Sequence, residues 1–188
     1  DQLSKSVSQK LNISENKSAD VVSMAVPLLI GGLAKNAKNP EEAESITKAV
    51  SKDHDGSILN NIASVVLEDS TELDGQKILS HILGNKTTAA SKVIEKKTNV
   101  DSAQVIKILS LVAPVVLGVI GKKQKDDNLN STTLSEVLAD TARRQVGESS
   151  EKSNILTSIL DQDSDGNIRN EATNIGLRLL KNFLRRKF

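Results

Sequence analysis

Apolar residues recur at spacings of three and four along most of the chain, as in Leu3/Val7/Leu11 and Leu134/Val137/Leu138. That is the period of a helix with one buried face. No segment alternates apolar and polar positions with the β-branched and aromatic enrichment of a strand. The pattern predicts an all-α, multihelical bundle of nine or ten helices. Two stretches, Val21–Ala34 and Val105–Gly121, are apolar on nearly every face. They predict two buried central helices, over 19–36 and 102–123. At 14 and 17 residues the stretches fall short of the roughly 20 needed to span a membrane, and Lys107 interrupts the second. Gly31, Gly32, Gly118 and Gly121 each cost about 1 kcal/mol of helix propensity. Such a cost is consistent with the two central helices crossing at their glycines.

Local punctuation adds boundaries. Asn39-Pro40-Glu41-Glu42 reads as an N-cap, a proline at the first helical position, and acids at the positive end of the helix. Asp74-Gly75 precedes Ile78/Leu79/Ile82/Leu83, predicting a short helix near 75–83 that Gly84-Asn85 ends.

The chain also matches itself. Pro27 and Pro114 lie 87 positions apart, and the same offset sets Val26-Pro27-Leu28-Leu29-Ile30-Gly31 over Ala113-Pro114-Val115-Val116-Leu117-Gly118. Without a gap it also pairs Lys10 with Lys97, Asn12 with Asn99, Ile13 with Val100, Ser23 with Ser110 and Lys35 with Lys122. Downstream, Asp53-His54-Asp55-Gly56-Ser57-Ile58 resembles Asp163-Ser164-Asp165-Gly166-Asn167-Ile168 at an offset of 110. The reading is a single helical domain over 1–188 with an internal duplication. Its copies are approximately 3–68 and 90–180, linked by the short helix near 75–83. The second copy carries an insertion, mostly around 123–155.

In order, Val26–Asn36, Asp53–Leu59, Gly75–Gly84, Leu111–Gly118 and Asp161–Gly166 resemble the bacterial YidB-like proteins, domain-of-unknown-function family 937. The resemblance implies an all-helical bacterial protein and brings no catalytic residues with it.

Composition then narrows the chemistry. There is no Cys, so a disulfide framework, a thiolate metal site and a cysteine nucleophile are all excluded. Residues 1–182 hold no Phe, Tyr or Trp, which removes base-stacking platforms and aromatic cages. Lys+Arg number 25 against 24 Asp+Glu, a formal net charge of +1. That balance argues against a general nucleic-acid binder. No nucleophile elbow, phosphate loop or dinucleotide fingerprint is present, and the expectation is a protein that is not an enzyme.

The strongest motif is Asp161-Gln162-Asp163-Ser164-Asp165-Gly166-Asn167-Ile168. Asp161, Asp163 and Asp165 stand at positions 1, 3 and 5 of a calcium loop, Gly166 at the turn, and Asn167 at the position that offers a backbone carbonyl. Position 12, which should supply a bidentate Glu, is Ala172, and Glu171 comes one residue early. The competing reading, which we prefer, is a helix-capping turn with no cofactor bound. In the first copy Ser51, Asp53 and Asp55 share the spacing, but position 12 is Ile62, and a structural turn is expected there too. Of the two histidines, His81 sits among Ile78, Leu79, Ile82 and Leu83 and is expected to be half-buried. His54 is expected to face water.

The segment Gly176–Phe188 has five cations and no acid, and Ile168, Ala172, Ile175, Leu179 and Phe183 fall on one helical face. It reads either as a basic amphipathic helix for a membrane surface or acidic partner, or as a last helix packed on the core with a basic rim. We favour packing, with Ile175 and Leu179 buried. The sequence therefore predicts a non-enzymatic structural or protein-interaction domain. The alternatives are a calcium-responsive protein using 161–171, and membrane or acidic-partner contact through the C-terminal helix. No secretory signal opens the sequence, so the cytoplasm is the expected compartment. The chain does not begin with Met, which leaves open a signal already removed.

Overall fold

The computed structural model describes residues 2–147 and 157–160. These residues are helical almost throughout, and none of them is in a strand. Eight α-helices run in order: α1 (Gln2–Leu11), α2 (Glu15–Asn36), α3 (Pro40–Lys52), α4 (Ile62–Leu67), α5 (Asp69–Leu83), α6 (Thr87–Thr98), α7 (Ser102–Asp126) and α8 (Ser131–Gly147). Short 3₁₀ turns at Ser57–Asn61 and Gly84–Lys86 join α3 to α4 and α5 to α6. A single helical turn follows at 157–160.

The most apolar helix takes the centre. α7 packs against α5, α2, α6 and α3, and its residues 108–118 are all buried. α2 is the second hub, with α1, α7 and α8 against it. Leu134 and Leu138 of α8 are buried as their spacing predicts, which puts a core helix inside the expected 123–155 insertion. Both hub helices exceed their apolar stretches, at 22 and 25 residues. Their length and composition would therefore suffice to cross a membrane, and the length argument from sequence does not hold. Their burial against neighbouring helices is what marks them as core helices here.

The glycines of α2 and α7 do not meet each other, contrary to the crossing expected from sequence. Each instead admits a different neighbour. A Cβ on Gly32 would lie 2.7 Å from Ile82 of α5, and one on Gly118 would lie 2.3 Å from Ile58. At Gly121 it would lie 1.8 Å from the carbonyl oxygen of His54. Gly75 has the same role on the partner side, since a Cβ there would fall 1.7 Å from the carbonyl oxygen of Ser110. Pro114 has no N–H to give that carbonyl, which lies four residues before it. The backbone oxygen that proline leaves without its helical donor is the one Gly75 backs onto.

Gly75 is accordingly inside a helix and does not open one. α5 begins at Asp69, six residues before the predicted start. Asp69 and Glu72 stand in its first turn at the positive end of the dipole, and the Thr71 hydroxyl donates to the carbonyl of Val65.

The entries to the two hub helices share one local conformation at the offset of 87. Asn12 and Asn99 are left-handed, with φ of 51° and 52°. Each is followed two residues later by an N-cap, Ser14 or Asp101, whose side chain accepts a backbone N–H from the first turn. Both helices then carry their proline internally.

Candidate functional site

Two concavities stand out among the described residues, on different sides of α2. The first lies between α2, α3, α5 and α7. Its floor is Leu33, Ile46, Ile78, Ile82 and Leu117, and its edge carries Asn36, Glu42, Ser45, His54 and His81 around about 250 Å³. The helix starts position these groups. The Asn39 side chain accepts the backbone N–H groups of Glu41 and Glu42 at 2.9 and 3.4 Å, as the Asn-Pro-Glu-Glu sequence predicts. On the other wall the Asn36 amide donates to the carbonyls of His81 and Ile82 at 3.1 and 3.3 Å, tying α2 to the end of α5.

The structure reverses the expected environments of the histidines. His54 is half-buried and His81 is exposed. His54 follows α3 in a turn seated against Gly121 of α7, so its backbone is drawn inward. His81 is on the outward face of α5, while Leu79, Ile82 and Leu83 take the buried face. Burial pushes the His54 pKa below the ordinary histidine value and outweighs the opposing pull of the Asp53 and Asp74 carboxylates. The two histidines share one cleft, but no group of three or more His, Asp or Glu side chains that could hold a metal forms among the described residues.

The acidic turn at 51–57 is a cap. Asp55 Oδ1 accepts the backbone N–H of Ser57 at 3.0 Å, and this bond to the charged carboxylate holds its pKa below the usual range. Gly56 supplies the left-handed residue, at φ 96°. Asp161, Asp163, Asp165, Asn167 and Glu171, the five candidate metal ligands, lie outside the described residues. So does the basic C-terminal segment with Ile175, Leu179 and Phe183.

The second concavity is a wider groove between α2 and α8, about 550 Å³. Small or flat residues line it: Pro27, Gly31, Ala34, Ala139 and Ala142. Lys35, Lys38 and Arg143 are the charged groups among its described lining, and all are cations. The groove already holds one turn of helix. Leu160 Cδ1 fills the space a Gly31 side chain would need, 2.8 Å from that Cβ position. The amines of Lys35 and Lys86 both donate to the Leu160 carbonyl, at 2.5 and 2.6 Å. Ser135 of α8 in turn donates to the carbonyl of Ala37 at 2.7 Å, fixing α8 beside the end of α2.

Residues 1–123 match the family model described as bacterial protein of unknown function (DUF937). The chain belongs to this family. The matched region contains α1 through most of α7, and with them the whole two-histidine cleft. The α8 wall of the groove lies beyond the part shared with the DUF937 family. No curated protein and no solved structure matches the chain.

Proposed function

We propose that this DUF937 chain is a non-enzymatic protein-interaction domain, and that its contact site is the α2–α8 groove. The observation that carries this reading is the pairing of a small-residue floor with a rim whose charged groups, among the described residues, are all cations. Ala34, Ala139 and Ala142, beside the turn seated on Gly31, let a helix backbone approach closely, as in helix-in-groove recognition. Lys38 and Arg143 favour carboxylates along that helix. The chain's own turn at 157–160 supports this reading: Leu160 packs on Gly31 and its carbonyl is held by Lys35 and Lys86. The expected partner element is an acidic amphipathic helix with small or aliphatic residues on its apolar face.

The test uses two labelled synthetic helical peptides with one shared apolar face, one bearing Glu and the other Lys on its polar face. Anisotropy titrations of the full chain should show saturable binding of the Glu peptide that weakens with salt. The double variant Lys38→Glu, Arg143→Glu should lower that affinity at least tenfold. Equal binding of the Lys peptide, or an unaffected double variant, would refute the proposal.

A further inference from the structure

The two-histidine cleft shares no lining residue with the α2–α8 groove, and its charge is different. We infer that it is a binding site for a small, neutral, ring-sized molecule that carries one hydrogen-bonding group. Volume sets the size. An engineered apolar cavity of about 150 Å³ takes up benzene, so the roughly 250 Å³ here accommodates a ring with a short substituent. The floor of Leu33, Ile46, Ile78, Ile82 and Leu117 is aliphatic, and it removes ring surface from water without competing for hydrogen bonds.

Charge sets the class. Among the eleven lining residues Glu42 is the sole Asp, Glu, Lys or Arg. An anionic ligand would meet no fixed cation there and would face that carboxylate. A cationic ligand would find only solvent-exposed carboxylates, which water screens: Glu42, already at the positive end of α3, and Asp53 and Asp74 beside His54. A neutral ligand loses neither interaction. Ser45, His54 and His81 bring hydroxyl and imidazole groups to the edge, where a single hydroxyl or amide on the ligand can be met.

Benzyl alcohol, benzoate and benzylamine present the same ring with no charge, a negative charge and a positive charge. Each is titrated at pH 8 into the full chain carrying labelled Ile, Leu and Val methyl groups, and methyl NMR spectra are recorded. Benzyl alcohol should shift the Ile46, Ile78, Ile82, Leu33 and Leu117 methyls saturably, with a dissociation constant on the order of 1 mM. Benzoate and benzylamine should bind at least tenfold more weakly. Ala49→Leu and Ser45→Met, which fill the cleft from α3, should each abolish the shifts. Ser45 is exposed, so its variant tests the site even if Ala49→Leu fails to fold. The inference is overturned by shifts that do not saturate or that map elsewhere. It is also overturned by equal binding of the three probes, or by unchanged binding in a folded cleft-filling variant.

Discussion

At the scale of single residues, backbone proximity decides more than side-chain chemistry. Gly75 and Gly121 face backbone oxygens of Ser110 and His54, so an added methyl group has nowhere to go without moving a helix. Gly75→Ala and Gly121→Ala should each destabilise the chain by about 1–3 kcal/mol or more, measured by chemical denaturation. Gly31→Ala meets the tip of Leu160, a flexible side chain, and should cost clearly less. Equal costs at the three positions would contradict this account of the glycines. A second prediction concerns His54. Its pKa in the folded chain is below the ordinary value of 6.5, so between the two values the unfolded chain binds more protons. Stability is therefore full above about pH 7 and falls as the pH drops through 6.5 and lower. Denaturation midpoints at pH 7.5 and 5.5 should differ, and His54→Gln should shrink that difference. The environments of the two histidines were not legible in the sequence. Apolar neighbours of His81 pointed inward for the helix as a whole, but only the packing shows which residues its buried face takes.

Among the elements, legibility followed the strength of the local code. The start of α3 was readable because Asn39, Pro40 and the two following acids all favour one boundary. The true start of α5 was missed because Asp74-Gly75 is turn-like in isolation, and tertiary contact with Ser110 is what makes Gly75 valuable inside a helix. Asn12 and Asn99, two of the residues that pair at an offset of 87, are both left-handed. Asparagine and glycine tolerate that region and alanine does not. Asn12→Ala and Asn99→Ala should each cost about 1 kcal/mol in thermal or chemical unfolding, whereas Asn→Gly at either site should be close to neutral. A larger loss from Gly than from Ala would show that the asparagine side chains, not the backbone angles, matter there.

For the molecule as a whole, the burial of α2 and α7 was plain from two runs of apolar residues, since a helix apolar all round must be covered. Leu109 of α7 is fully buried, and Leu109→Ala should cost about 2–5 kcal/mol, read from denaturant midpoints. A loss under 1 kcal/mol would mean that α7 is not the organising helix. The groove was not legible, because its walls come from residues around 27–38 and 139–143, and no local pattern marks them as neighbours. Single lysines and alanines on amphipathic helices carry no signal until two helices are placed side by side. The proposed function rests on that placement. The most direct test is an alanine-methyl NMR titration of the full chain with the Glu-faced helical peptide. Saturable shifts at Ala34, Ala139 and Ala142, with the α6 methyl of Ala90 unmoved, are the predicted result; shifts confined to other surfaces, or none at all, would contradict it.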